Sequence, residues 1–320
     1  MMKEYTYSVA RVRAREASLL TRLDIDQLLS ADSYDSALRT VRDRGYRAHD
    51  RADAEEIASA ARQDMWDFLA ELADEAVLRV LRLPIDYHNV KASVKSVFSR
   101  TDGSDLLLDG GTVDPERIYD CVKRREYNEL DPRIAEVCEE ALALLLRTQD
   151  GQVCDMYIDN AMLAAIEETA SRTGDAFIQR YADLLADTAN LKTAYRCART
   201  ERNFSFIENA IYDGGTLNAS SLIPAAASGL EALCGYIASA SCGGAADAMR
   251  AGASALEKWC GDEIMRFMDE ARLESFTAAP IIAYYYAKTT EINAVQLILL
   301  GKRSQLSDSL IRERVPRTYV

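Results

Sequence analysis

The sequence predicts an all-α protein built from a repeated helical unit. Apolar residues recur at three- and four-residue steps over long stretches. Ala, Leu, Arg and Glu dominate, and no convincing run of alternating strand residues is present, which favours helices. A short motif that begins at Asp86 returns 101 positions later. The 320 residues suffice for one large core or for two to three smaller units.

The first clear helix is predicted over residues 55–83, where a single apolar stripe follows a 3.6-residue period. Acidic side chains occupy much of the remaining surface of this segment. Leu83 precedes Pro84, and a residue before proline is pushed out of the α region. The helix is therefore predicted to stop at Leu83. The stripe comprises Met65, Trp66, Leu69, Leu72, Ala73, Ala76, Val77, Val80 and Leu81.

Later helices are predicted from proline positions and further stripes. Asp114-Pro115 and Asp131-Pro132 each combine an N-cap with proline at the first helical position. Pro280 is predicted to open a long final helical segment. The stripes of the later helices contain Ile118 and Val122; Ile134, Val137, Cys138, Ala141, Leu142 and Leu145; Tyr181, Leu184, Leu185, Thr188 and Leu191; and Ile281, Tyr284, Ile292, Val295, Leu299 and Leu300.

The charge balance argues against a nucleic-acid partner. The chain has 38 Lys plus Arg and 51 Asp plus Glu, a net charge of −13, whereas binding to phosphates needs a basic face. Residues 1–22 and 288–320 each carry +3, which leaves −19 for residues 23–287. The basic ends indicate either polarised surfaces that face different partners or ends that pack against the acidic body.

The chain is expected to be cytoplasmic. It lacks the roughly 18 consecutive apolar residues needed to span a bilayer, and Met1 to Ala10 contains no long apolar signal-peptide core. The seven cysteines are widely spaced and include no C-x-x-C pair, which makes a disulfide framework or a zinc site a poor interpretation. We expect these cysteines to be small buried side chains in a reducing compartment.

An internal repeat is the most informative feature. The motif Asp86–Lys91 (D-Y-H-N-V-K) recurs as Asp187–Lys192 (D-T-A-N-L-K). Each copy precedes a similar turn, D-G-G-T-V at Asp109–Val113 and D-G-G-T-L at Asp213–Leu217. The spacing predicts a helical module of about 100 residues in which each module buries its stripe partly against its neighbours.

A third copy of the motif is weaker. It lies at Glu291–Val295, where Asn293 stands 103 positions after Asn190, and Tyr5 through Leu29 is a further degenerate candidate. We therefore predict three domains: residues 1–85 closed by 291–320, residues 86–186, and residues 187–290.

The Gly-Gly pairs suit a turn or a helix C-terminus that needs positive φ. A phosphate-binding loop is the disfavoured alternative, because neither copy is followed by G-K-[ST]. The nearest such string, Leu300–Ser304, is rejected because Gln296 replaces its first glycine and Arg303 follows Lys302.

Candidate catalytic chemistry is sparse. Asp155 and Asp159 lie one helical turn apart and could hold Mg²⁺ bridged to a diphosphate, although an acidic solvated helix face has the same spacing. Of the two histidines, His49 follows a probable loop, and His88 is expected at a helix surface or an interface. No Ser or Cys stands in a recognisable nucleophile motif. We therefore predict no catalytic, cofactor-binding or metal-binding residues.

Several segments, taken in order along the chain, resemble one known family. They are Tyr5–Ala14, Ser18–Thr21, Ser33–Leu38, the two copies Asp86–Lys91 and Asp187–Lys192, and the tail segments Ile298–Lys302, Ile311–Val315 and Tyr319-Val320. Together they resemble the C subunit of the V-type (A-type) ATP synthases, the family equivalent to the d subunit of the eukaryotic vacuolar ATPase.

The resemblance implies a funnel-shaped, all-helical subunit with three similar domains around a pseudo-threefold axis. It implies a non-catalytic central-stalk rotor subunit whose partners are the D and F subunits of the shaft and the membrane ring of proteolipid subunits. Such a socket would couple the D–F shaft to the ring, linking proton or sodium transport to ATP synthesis or hydrolysis. The subunit would be cytoplasmic and would reach the membrane only through the ring. It would not bind nucleic acid.

Two other functions remain open at this stage. The chain could be a helical-repeat scaffold for an unrelated partner, which would share the repeats but not the matching ends. It could instead be an all-helical Mg²⁺-dependent enzyme that uses Asp155 and Asp159.

Overall fold

The computed structural model describes residues 5–46, 53–240 and 242–320, and in these ranges the chain forms sixteen α-helices and no β-strand. The all-α prediction is therefore confirmed. Short 3₁₀ turns lie at Ser104–Leu106 and Ala271–Leu273. The helices are α1 (Thr6–Glu16), α2 (Arg22–Leu29), α3 (Tyr34–Asp43), α4 (Ala54–Ala70), α5 (Glu75–Ser99), α6 (Pro115–Arg124), α7 (Pro132–Thr148), α8 (Gly151–Thr173), α9 (Ala176–Arg199), α10 (Phe204–Ala210), α11 (Ala219–Ala227), α12 (Leu230–Ser239), α13 (Gly243–Ala251), α14 (Ala253–Glu270), α15 (Ala279–Arg303) and α16 (Asp308–Arg312).

The chain divides into two compact units. The terminal unit joins the residues up to 74 to those from 254 onward, and the central unit contains residues 75–253. Both ends of the chain therefore belong to one unit. The division into three domains stays a prediction.

The terminal unit is organised around α15. This helix packs against α1, α2, α3 and α4, and its buried face includes Ile292, Val295 and Ile298. Apolar side chains of α2, α3 and α4 complete the same core, among them Leu28 and Ile57. Because each of these side chains is removed from water, burial of the apolar face supplies the main stabilisation of the unit.

The central unit contains two long helices of the same kind, α5 and α9. Helix α5 packs against α6, α7 and α8, and α9 packs against α8, α11 and α12. Both helices carry buried residues around much of their circumference, in contrast to α6, which buries only Ile118, Cys121 and Val122 on one face. The long helices are therefore central to the packing.

The predicted helix over residues 55–83 is wrong in its boundaries. Helix α4 ends at Ala70, α5 begins at Glu75, and Pro84 lies inside α5. An interior proline removes one backbone hydrogen bond and costs about 3 kcal/mol. In α5 that cost is offset by burial on both sides of Pro84, where Leu81 and Leu83 precede it and Tyr87 follows.

The predicted proline starts are confirmed. Asp114 and Asp131 are the N-caps of α6 and α7, and their side chains accept hydrogen bonds from the amides of Arg117 and Arg133 at 3.0 and 3.1 Å. Pro280 lies in the first turn of α15. Among the described residues, no helix combines the length and the apolar character that crossing a bilayer requires.

Replacement of Ile298 by Ala should destabilise the terminal unit by about 2–5 kcal/mol, because it leaves a cavity in the core around α15. The side chain of Ile298 is fully buried. The matched control is Leu300→Ala on the same helix, where the side chain is 41% exposed and the expected change is within about 0.5 kcal/mol. The urea midpoint of the full chain, followed by circular dichroism, measures both, and equal midpoints would contradict this packing.

Candidate functional site

The repeated motif forms a hydrogen-bonded clamp between a long helix and a loop. Asp86 of α5 is fully buried, and its carboxylate accepts hydrogen bonds from the amide and hydroxyl of Thr112 at 2.8 and 2.6 Å and from the amide of Val113 at 3.2 Å. Val113 immediately precedes Asp114, the N-cap of α6. The buried acid therefore fixes the point at which the next helix begins.

Asn89 extends the first clamp by one helical turn. Its side-chain amide donates to the carbonyl of Leu108, and its side-chain carbonyl accepts from the amide of the same residue, both at 2.8 Å. This paired bond replaces the backbone partners that the loop lacks. Burial raises the pKa of Asp86, because the hydrogen bonds from Thr112 and Val113 only partly offset its desolvation.

The second clamp has the same geometry. The carboxylate of Asp187 on α9 accepts from the amide and hydroxyl of Thr216 at 2.8 and 2.5 Å and from the amide of Leu217 at 2.9 Å. Asn190 makes the paired bond to the backbone of Tyr212 at 2.8 and 2.9 Å. Leu217 precedes Asn218, the N-cap of α11. The sequence repeat thus corresponds to a repeated contact.

The Gly-Gly pairs let the loop approach the carboxylate. A Cβ on Gly111 would lie 2.3 Å from Asp86 Oδ1, and one on Gly215 would lie 2.5 Å from Asp187 Oδ1. Gly215 also has φ of +79°. The predicted turn with positive φ is therefore confirmed at this position. The loop amides that could have bound a phosphate donate to the carboxylates instead.

A third clamp lies in the terminal unit, with a different register from the predicted one. Glu291 of α15 is buried and accepts from the amide of Leu20 at 2.5 Å, from the hydroxyl of Tyr46 at 2.7 Å and from the ammonium of Lys288 at 2.5 Å. Leu20 immediately precedes Thr21, the N-cap of α2. Burial and the neighbouring carboxylate raise the pKa of Tyr46, so its hydroxyl stays protonated and donates.

The ends of the long helices establish this register. A residue with left-handed φ follows each of them, Arg100 after α5, Glu201 after α9 and Gln305 after α15. Each stands 14 positions after the acid of its clamp, Asp86, Asp187 or Glu291. The following amide in each case bonds the carbonyl five residues earlier, at 2.9–3.1 Å. This is the same C-terminal helix motif three times.

The predicted match of Asn293 to Asn190 is therefore wrong by one residue. The structural counterpart of Asn190 is Ala294, which is buried and has no side-chain amide. Asn293 is exposed, and its side chain accepts a hydrogen bond from Arg62 of α4. The third clamp therefore lacks the paired amide bond, and its carboxylate takes additional donors from Tyr46 and Lys288.

The metal interpretation of Asp155 and Asp159 is not favoured by their surroundings. Asp155 pairs with Lys95 and Asp159 pairs with Lys91, both at 2.7 Å. These pairs join α8 to α5, so the acidic residues act as contacts between helices. In the part of the chain that the structure describes, no group of three or more His, Cys, Asp or Glu side chains could hold a metal ion.

The surroundings of His88 and of the cysteines indicate roles in packing. His88 is exposed on α5, as expected, and its Nε2 lies 3.0 Å from the carbonyl oxygen of Leu106, whereas His49 lies outside the described residues. None of the seven cysteines forms a disulfide; Cys242 is half-buried and the others are buried. Burial raises the pKa of Cys138 to about 12 and that of Cys154 to about 11.

Comparison with known proteins identifies relatives over nearly the whole length. A family profile described as "ATP synthase (C/AC39) subunit" matches residues 8–314. The chain is similar to the C subunit of the V-type sodium ATPase of Enterococcus hirae, with 21% identity over 96% of this chain and 97% of that protein. It is also similar to the C subunits of two A-type ATP synthases. That of Haloquadratum walsbyi is 23% identical with 96% of each chain covered, and that of Halorubrum lacusprofundi is 24% identical with 94% of each covered.

Replacement of Asp187 by Ala should destabilise the central unit by about 3 kcal/mol, because it removes three hydrogen bonds and leaves the buried amide of Leu217 without an acceptor. The control is Asp213→Ala, which removes an exposed acid from the same loop and should change stability by less than about 0.5 kcal/mol. Differential scanning calorimetry of the full chain compares them. If the hydrogen bonds to Asp187 did not contribute to stability, both variants would have the melting temperature of the parent protein.

The buried thiols should not react in the native protein at neutral pH. A thiolate is the reactive species, and burial raises the pKa of Cys121, Cys138, Cys154, Cys197 and Cys234. Titration with Ellman's reagent should therefore modify Cys242 first and all seven thiols only after denaturation. A Cys242→Ser variant is the control, and rapid native labelling of this variant would contradict the burial.

Proposed function

The chain belongs to the ATP synthase (C/AC39) subunit family, and from that membership we propose that it is the central-stalk C subunit of a rotary V-type or A-type ATP synthase. In this role it is a socket that couples the D–F shaft to the membrane proteolipid ring. It passes rotation between ion transport, of protons or sodium, and ATP synthesis or hydrolysis. It has no catalytic residues of its own and lies on the cytoplasmic side of the membrane.

The observation that carries the proposal is the family match from residue 8 to residue 314, because it includes all three clamps and leaves only the first seven and the last six residues unmatched. The repeated clamps add a physical argument. A coupling subunit must transmit force without local yielding, and each clamp ties a loop to the buried side of a long helix. Close-packed helices of low compressibility suit the same requirement.

The proposed interfaces follow from the same role. A socket that does not slip needs two stable interfaces, each of which should bury about 1,200 Å² or more in total. The central unit contains 27 acidic and 18 basic residues, so acidic surface is available for basic segments of a partner. We therefore expect electrostatic attraction to contribute to assembly, and salt to weaken it.

The full chain should bind both a purified D–F complex and a detergent-solubilised proteolipid ring from the same organism. The immobilised chain should retain each partner alone and both together, and retention should fall as salt rises from about 50 to about 500 mM. An unrelated acidic helical protein of similar size serves as the control. Failure of the folded chain to retain either partner would favour the helical-repeat scaffold for an unrelated partner.

A further inference from the structure

The two basic ends of the sequence meet in the terminal unit around one cavity. A cavity of about 280 Å³ lies between α2, α14 and the C-terminal segment from residue 312 to 318. Four basic side chains line it, and Asp26 is the one acidic residue in its lining. The four are Arg22, Lys258, Arg312 and Arg317. The cavity therefore concentrates positive charge in a chain whose net charge is −13.

Two of these positive charges are not neutralised. Arg312 pairs with Asp26, and Arg317 pairs with Asp269 at 2.9 Å. Arg22 and Lys258 are exposed, and neither forms an ion pair with any residue that the structure describes. Both remain available to an anionic group from outside the unit.

The lining of the cavity is also apolar. Ile25 and Leu29 of α2 and Val315 of the C-terminal segment contribute to it. A site that combines an apolar lining with unpaired positive charges suits a ligand that carries both an apolar group and negative charges. The positive charges and the apolar lining therefore favour one class of ligand.

We propose that this cavity binds an acidic peptide segment of a partner protein. One apolar side chain of the segment enters the space lined by Ile25, Leu29 and Val315, and carboxylates on either side of it pair with Arg22 and Lys258. This site lies beyond the proposed coupling role, which assigns no function to the cavity.

A neighbouring cavity provides an internal contrast. It encloses about 490 Å³ and shares Lys258 and Pro316 with the first cavity. Its lining also includes Glu257 and Glu313, so its charge is mixed. Charge complementarity to an acidic segment therefore favours the smaller cavity.

The experiment uses the full chain and a fluorescein-labelled peptide of sequence Glu-Asp-Leu-Asp-Glu, followed by fluorescence anisotropy. Binding should saturate and should weaken with added salt. The double variant Arg22→Glu with Lys258→Glu should weaken binding by about tenfold or more, because two attractions become repulsions. Both side chains are exposed and unpaired, so the variant should keep the circular dichroism spectrum and melting temperature of the parent protein.

Three controls distinguish binding at this cavity from non-specific electrostatic attraction between the peptide and the chain. The double variant Arg39→Glu with Arg303→Glu changes the net charge equally at exposed positions outside the cavity and should leave binding within about twofold. A peptide with Gly in place of Leu should bind more weakly, and one with Lys in place of the acids should not bind. Equal weakening by both double variants, equal binding of the Gly peptide, or binding of anionic phosphatidylserine vesicles without binding of the peptide would each overturn the proposal.

Discussion

The rest of this structure depends on one interaction, in which a buried carboxylate accepts hydrogen bonds from the backbone amides of a loop. Desolvation of a carboxylate is costly, and the cost is recovered only when several donors surround it. Asp86 and Asp187 each receive two backbone amides and one hydroxyl. The loop must therefore approach closely, which requires glycine at its turn, and the following helix must begin directly after it. One side chain thus determines a turn, a helix start and the connection between two helices.

The third clamp applies the same chemistry to a different connectivity. In the first two clamps the loop follows its helix within about 30 residues, whereas Leu20 and Glu291 are separated by 271 positions. Leu20 and Glu291 belong to the same compact unit, so this clamp forms only after two distant segments of the chain have come together. Contacts of such large sequence separation carry the cost of closing a long loop. The replacement of the amide by Ala294 and the extra donors Tyr46 and Lys288 show that the carboxylate, not the asparagine, is the common element.

The sequence was sufficient to predict the helical class, the two strong copies of the motif and the proline-marked helix starts, because each depends on local spacing. It was insufficient at Pro84, because a local pattern treats an interior proline as the end of a helix. In the structure, burial of the neighbouring side chains offsets the cost of the proline. It was also insufficient for the register of the third copy. The left-handed residues that reveal this register are Arg100, Glu201 and Gln305, and none is a glycine that a reader of the sequence would notice. The cavity depends on residues from α2, α14 and the C-terminus, and no local pattern reports their proximity.

Placement of both chain ends in one unit also has a consequence for the proposed coupling role. A free chain end adjacent to a loaded interface would yield first, since terminal segments are ordinarily the least restrained part of a domain. Here α1 packs against α15, Leu20 donates to Glu291, and α16 packs against both α2 and α15. Helix α1, Leu20 and helix α16 are therefore held by the same helix that carries the third clamp. A force applied to α1 or α16 would be opposed by the core around α15, as the proposed coupling role would require.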